Sequence, residues 1–330
     1  MTLALTRRRL LTTALATGVA TQFAGPASAA RPRLTLPAPT GPHRIGMVDR
    51  HLVDRARRRE LMTSVWYPAA ARHRPPAPWM PDAPMRALLA GNGLPADAAA
   101  APLTAARYNA PALKTPGRRP VVVFSHGADG HRSETTIIVQ ELASHGYVVV
   151  TVDHTDAYTE FPGGRLRVPD DNVSVTPYDH AADITFVLDR LEATRRFGPV
   201  GMFGFSKGGT ATALVMIGDR RVRAGLSLDG PMECQPPITA DLDRPFLMMT
   251  ANFPADDFWD HLRGWRRRLH LDGGTELSLS DAVWLLPQLA RLTAMSDEDL
   301  AGWIGTYDPA RAVRLQQTYP LAFFDQHLRP

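Results

Sequence analysis

The chain has 330 residues, 44% of them hydrophobic and 21% charged, which excludes a disordered, collagenous or coiled-coil protein and leaves room for one large α/β domain. Its single cysteine, Cys234, excludes intramolecular disulfides and a cysteine-ligated metal. The net charge is only +4, and removal of Arg7, Arg8 and Arg9 with a cleaved leader would leave 34 basic against 33 acidic residues, so no nucleic-acid partner is expected.

Thr6-Arg7-Arg8-Arg9-Leu10-Leu11 sets twin arginines ahead of an apolar run to about Ala20, and Ala27-Ser28-Ala29 supplies the small residues a signal peptidase reads. The run is shorter than the ~20 residues that span a bilayer. Residues 1–29 therefore read as a twin-arginine (Tat) signal peptide, and the remainder, 30–330, as one secreted α/β domain with no transmembrane anchor. A monomer is expected.

Residues 31–43 are proline-rich and read as a loose arm. Glu60–Pro68 reads as a strand ended by proline, and 68–118, with many of the 29 prolines, as loop and short helix lying over the domain. From 119 onward apolar strands and amphipathic helices alternate. Val121–Ser125 is a strand, Glu134–His145 a helix, Tyr147–Val152 a strand and Asp179–Arg196 a helix. Val200–Phe205, Val222–Leu228, Phe246–Thr250 and Trp265–Leu271 are strands; Lys207–Ile217, Trp259–Arg263 and Pro309–Leu328 are helices. Such alternation predicts a mostly parallel sheet wrapped by helices on both faces.

Between the strand Val200–Phe205 and the helix opening at Lys207 lies Gly204-Phe205-Ser206-Lys207-Gly208, a G-x-S-x-G elbow in the strand–turn–helix context the motif needs. The glycines allow a turn tight enough to expose a strained serine, and the helix N-terminus beneath favours developing negative charge. Ser206 is the expected nucleophile. An oxyanion hole needs two backbone N–H groups aimed at one point. Lys207, directly after the serine, is one candidate, and Ala128, in the turn Phe124-Ser125-His126-Gly127-Ala128, is the other. His126 reads as a loop-shaping residue rather than the base.

The elbow, the Ser125-His126-Gly127 turn and Leu226-Ser-Leu-Asp-Gly230 together resemble the platelet-activating factor acetylhydrolase group of α/β-hydrolases. Pro39-Thr-Gly-Pro42, His51-Leu-Val-Asp-Arg55, Arg59-Glu-Leu-Met-Thr-Ser-Val-Trp-Tyr-Pro68 and Phe161-Pro-Gly-Gly-Arg165 are similar to stretches in its secreted bacterial members, so the resemblance runs from about residue 39 to 328. It implies an α/β-hydrolase fold and a serine esterase acting on short-acyl esters or on short-acyl or oxidised phospholipids. It also implies Asp229, which ends an apolar strand, as the triad acid; Asp256 or Asp257 is the alternative one strand later. The group carries its histidine ahead of a Ser-Phe-Ser-Asp motif. Ser278-Leu-Ser-Asp281 aligns with that motif, which puts Glu276 where the histidine belongs.

That departure bears on catalysis, because an unperturbed carboxylate, with a pKa of about 4.3, is a weak base toward a serine hydroxyl. Glu276 sharing a proton with Asp229 is one candidate base. His270, six residues earlier, is the other, although strand alternation places it on one face with Arg266 and Arg268, where a solvated histidine is the simpler reading. A hydrolase-shaped binding protein with little or no turnover is the alternative function. Phe161, Tyr178, Pro231, Met232 and Ile238, in the segments 155–178 and 231–243, are candidate apolar contacts for an acyl or alkyl group. Asp170-Asp171-Asn172 reads as a solvated turn, and no metal or cofactor is expected.

Overall fold

The computed structural model describes residues 31–70, 73–115, 117–193 and 197–329; the leader assigned to residues 1–29 lies outside them. Strands β1 (Arg44–Asp54) and β2 (Arg59–Ala69) form an antiparallel hairpin in unbroken register from Arg44↔Ala69 to Asp54↔Arg59. After them come β3 (Pro76–Pro78), α1 (Asp82–Gly91) and β4 (Leu103–Tyr108). The alternating part of the chain begins with β5 (Arg119–Ser125), α2 (Thr136–Ser144) and β6 (Val148–Asp153). A small hairpin, β7 (Thr159–Phe161) and β8 (Arg165–Arg167), precedes α3 (Pro177–Glu192). Then follow β9 (Phe197–Phe205), α4 (Lys207–Gly218), β10 (Val222–Leu228), β11 (Phe246–Thr250), α5 (Asp256–Trp259) and β12 (Arg266–His270). A 3₁₀ turn (Glu276–Leu279), α6 (Ala282–Thr293), α7 (Asp297–Ile304) and α8 (Pro309–Leu328) complete the chain.

Ten strands make one sheet in the order β12-β11-β10-β9-β5-β6-β2-β1-β4-β3. The run from β12 to β6 is parallel throughout, and β2 joins it antiparallel to β6. Strands buried on both faces explain the unbroken apolar runs Val121–Phe124 and Val148–Val150. One face packs Phe124, Phe203 and Leu226 against α2 and α8, where Phe324 is fully buried; the other packs Val123, Met202 and Met248 against Ile184 of α3 and Met216 of α4. Each such side chain contributes about 1.5–3 kcal/mol on burial. This is the α/β-hydrolase architecture, with the chemistry-bearing loops at the carboxyl ends of the parallel strands.

Three expectations need correction. The proline-rich arm is pinned rather than loose: Leu34 is buried, the Thr40 N–H and hydroxyl donate to Glu141, and Gln140 Nε2 donates to Pro37 O. Segment 68–118 is more than loop and helix, because β4 pairs in parallel with β1 and β3 continues the sheet beyond it. The short helix lies at Asp256–Trp259, before the expected Trp259–Arg263, since Leu262 is drawn into a bridge with Leu242. In β12 the expected alternation holds. Leu269 packs into the core and Arg267 stacks on Tyr319 of α8, while Arg266 and Arg268 on the other face stack on Trp259.

Candidate active site

Ser206 sits between β9 and α4 at φ 54°, ψ −122°, a left-handed conformation that a non-glycine residue adopts only where the surroundings enforce it. The enforcement is visible. Ser206 N–H donates to Leu228 O at 2.8 Å, and Ser206 O accepts from Gly209 N–H at 2.8 Å. Gly208 lies so close to the Ser125 carbonyl that a Cβ there would collide with it. The turn carrying Ala128 therefore packs backbone-to-backbone on the elbow, and a Cβ at Gly127 would come 3.1 Å from that of Ser206. Gly127 N–H is used by Glu134 Oε2 at 3.0 Å, whereas among the described residues the N–H groups of Ala128 and Lys207 donate to no protein acceptor. Two unspent donors beside a strained serine are what an oxyanion site needs.

Asp229 ends β10, fully buried, with φ 51°. Its carboxylate accepts the N–H groups of Ala251 (2.7 Å), Asn252 (2.9 Å) and Phe253 (3.0 Å). Burial pushes its pKa above the usual carboxylate range, and those three amides oppose the shift. Asp256 lies on the surface paired with Arg268, and Asp257 is exposed, so neither shares this place.

Glu276 opens the 3₁₀ turn and is only 4% exposed. Its N–H donates to Asn252 Oδ1 at 3.0 Å, and Asn252 N–H in turn binds Asp229, so one asparagine spans the two acidic residues. His270 is held elsewhere. Its ring contacts Thr250 Oγ1 at 3.0 Å, lies 3.7 Å from Asp272, and its side chain is 51% exposed. Among the described residues no histidine hydrogen-bonds the Ser206 hydroxyl. The structure thus gathers Ser206, Lys207, Ala128 and Asp229, brings Glu276 to the Asp229 side, and leaves His270 at the sheet edge.

The apolar candidates divide. Phe161 is buried inside the β7–β8 hairpin under the guanidinium groups of Arg165 (4.3 Å) and Arg167 (4.7 Å). Tyr178 ties α3 to the 231–243 segment through a 2.8 Å hydrogen bond to Pro236 O. Met232, at φ 58°, is buried against the core, with Pro231 half-buried before it and Ile238 packed alongside.

Sequence reasoning missed a buried histidine network behind the turn from Ser125 to Ala128. Ser125 Oγ contacts His154 Nε2 at 2.8 Å and His180 Nδ1 at 3.5 Å. His154 Nδ1 donates to Asp183 at 3.0 Å, and His180 Nε2 to Asp156 Oδ1 at 2.9 Å. The two rings stack at 3.7 Å. Arg57 and Arg59 clamp Asp183, and the Lys207 ammonium reaches Asp156 Oδ2 at 2.7 Å. Burial lowers the pKa of His180 well below its usual value and that of His126 to about 4, so both rings are neutral. Burial alone would raise Asp156, but the hydrogen bond from His180 and the nearby Lys207 charge prevail and keep it ionised. The available signals were Asp153-His-Thr-Asp156 directly after a strand, and His180 with Asp183 one helical turn apart.

His126, Asp156 and His180 bring ligand atoms within 4.8 Å of one another. Both nitrogens of His126 are nevertheless committed to the backbone, Nδ1 donating to Gly127 O at 2.6 Å and Nε2 accepting from His154 N–H at 3.0 Å. Within the trio only His180 and Asp156 are hydrogen-bonded to each other, and a metal would have to displace that bond and the backbone pairing of His126. No helix of the described residues is long and apolar enough to cross a membrane.

Residues 28–161 match the family model for platelet-activating factor acetylhydrolase, isoform II. A probable 1-alkyl-2-acetylglycerophosphocholine esterase of Arthroderma benhamiae is 27% identical over 62% of this chain and 59% of its own length. Platelet-activating factor acetylhydrolase of Cavia porcellus is 25% identical over 59% of this chain and 55% of its own. The chain thus spans a little over half the length of these relatives. Among solved structures, a ferulic acid esterase from Streptomyces cinnamoneus superposes with a TM-score of 0.79 at 33% identity, covering 91% of this chain and 94% of that one.

Proposed function

This chain belongs to the platelet-activating factor acetylhydrolase-like family of α/β-hydrolases, and from that premise we propose that it is a serine carboxylic-ester hydrolase working through an acyl-enzyme on Ser206. The observation that carries the reading is the conformation of Ser206, φ 54° and ψ −122°, strained at the head of α4 against the Ser125–Ala128 turn. Ser206 Oγ attacks the ester carbonyl, the Ala128 and Lys207 amides receive the oxyanion, and Asp229 is the acid. Glu276 stands where the base is needed and makes proton removal slow. The substrates are short-acyl esters, including short-acyl or oxidised phospholipids. A hydroxycinnamate ester is a further candidate, since a structural relative 33% identical to this chain is a ferulic acid esterase. The twin-arginine leader supports export, so the enzyme acts outside the cell.

A second reading, a hydrolase-shaped ester or lipid binder without turnover, draws on one observation: the residue whose N–H meets Asn252, itself bound to Asp229, is Glu276 and not a histidine. Hydrolysis of p-nitrophenyl acetate and methyl ferulate by the exported form, beside Ser206→Ala and Glu276→His, separates the two. The hydrolase reading expects wild type to exceed Ser206→Ala clearly and Glu276→His to gain about 10²-fold or more in kcat, the usual contribution of a placed general base. Wild type equal to Ser206→Ala, with Glu276→His alone gaining rate, supports the binder. Wild type equal to Ser206→Ala, with no gain from Glu276→His, removes Ser206 as a nucleophile.

A further inference from the structure

Lys207 has two parts with two different surroundings. Its backbone N–H is a proposed oxyanion donor, while its side-chain ammonium donates to Asp156 Oδ2 at 2.7 Å and Val175 O at 2.7 Å. A lysine side chain gives up rotamer freedom when immobilised, so an ordered one is maintained against a real cost. The Asp156 carboxylate is nearly buried, so the ion pair carries a desolvation cost that apolar side chains filling the same space would not.

Behind Asp156 the structure adds support in series. His180 Nε2 fixes its other oxygen, His154 stacks on His180, and Asp183 fixes His154. Arg59 forms two 2.6 Å hydrogen bonds with Asp183, anchoring the series to the start of β2. Ser125 joins the two ends of the arrangement. Its hydroxyl lies between the histidines, and its carbonyl lies against Gly208, two residues past the nucleophile.

We propose that Asp156 is a positioning residue for ester hydrolysis: through the Lys207 ammonium it holds the first turn of α4, and with it the Lys207 N–H, at the oxyanion site, and the buried His180–Ser125–His154–Asp183 chain holds Asp156. The assignment rests on the hydrolase reading given above. Removing one oxyanion donor costs about 10²–10³ in kcat, and a displacement of the donor should cost somewhat less.

Two lysines occur in the whole sequence, Lys114 and Lys207, so protein labelled with ¹⁵N-lysine gives two backbone amide cross-peaks. Lys207→Met identifies one of them. Asp156→Asn should move the Lys207 cross-peak and leave that of Lys114 in place. In p-nitrophenyl acetate hydrolysis, Asp156→Asn and Lys207→Met should each lower kcat about 10–100-fold with KM within about twofold, since only the transition-state oxyanion is affected. The double variant should be no slower than either single one, and Lys207→Arg, which keeps the ion pair, should recover most of the rate. If Asp156→Asn does not fold, Lys207→Met carries the kinetic test, because that side chain is 19% exposed. An unmoved Lys207 cross-peak, an unchanged kcat, or losses that multiply in the double variant overturn the proposal. Failure of the hydrolase reading shows separately, as wild type equal to Ser206→Ala, and the cross-peak test is then still decisive.

Discussion

Two glycines of one helix meet opposite surroundings. Gly208, in the first turn of α4, faces the Ser125 carbonyl at a distance no Cβ could share, whereas Gly218, at the other end, has no atom within 4 Å of a built Cβ. Gly208→Ala must push the elbow and the oxyanion turn apart, and its expected cost is about 3 kcal/mol with loss of any Ser206-dependent rate. Gly218→Ala removes unfolded-state freedom at no steric cost and should stabilise by about 0.5 kcal/mol. Thermal melts of both variants check the pair; two destabilised proteins would mean that α4 tolerates no Cβ at either end. Ser206 was legible in the sequence because the motif that marks it, Gly204 to Gly208 between an apolar strand and a helix, is local, although Leu228 and Ser125, which help to hold its strained conformation, are distant. Asp156, His154, His180 and Asp183 were not. Their partners lie 24 to 126 residues away, and only the folded sheet brings β5, β6, α3 and α4 to one end.

Helix α2 shows how an element is fixed from outside its own sequence. Every residue from Thr136 to Ser144 is buried, yet its N-cap residue, Thr135, gives no side-chain cap. The cap comes instead from Asp281, 145 residues on, which accepts Thr136 N–H at 2.8 Å, Ile137 N–H at 2.9 Å and the Trp79 indole N–H at 2.8 Å. Three buried donors depend on that carboxylate, each costing about 1–3 kcal/mol if left unpaired. Asp281→Ala should therefore destabilise by about 3 kcal/mol or more in urea titration. Ser296→Ala, which removes an exposed local cap from Asp299 N–H of α7, should cost only about 1 kcal/mol. Equal losses would show that Asp281 is no more than an ordinary cap. The parallel strands were legible for the converse reason: burial on both faces leaves unbroken apolar runs such as Val121–Phe124. Strand β1 mixes exposed Arg44, Arg50 and His51 with buried Ile45 and Met47 and carries no such run. Strands β3 and β4 are short and adjoin prolines, so their pairing is a tertiary matter.

The whole fold buries His126, His131 and His180, and the pH dependence of its stability follows from their neutrality. Burial lowers His126 to about 4 and His131, edge-on to Trp79, to about 3, and it lowers His180 well below its ordinary value. In each case the folded pKa lies beneath the unfolded one, so the unfolded chain takes up protons that the folded protein refuses. Their contribution to stability is complete above the ordinary histidine value of about 6.5 and is lost as pH falls through the folded values. Asp281, pushed up to about 7 by burial, and Asp229, also raised, have the opposite sign. They contribute most below the ordinary carboxylate range and lose that contribution as pH rises through their folded values. Asp156 and Asp183 are lowered and lose theirs only in stronger acid. Between pH 7 and 4 three imidazoles therefore work against two carboxyls, and the urea midpoint should fall on acidification. Asp281→Asn removes the larger opposing group, so its midpoint, lower at every pH, should fall more steeply across the same interval. A midpoint that is flat or rises as pH drops from 7 to 4 in both proteins would mean that the buried histidines are not held neutral, and that the network behind the elbow takes up protons while folded.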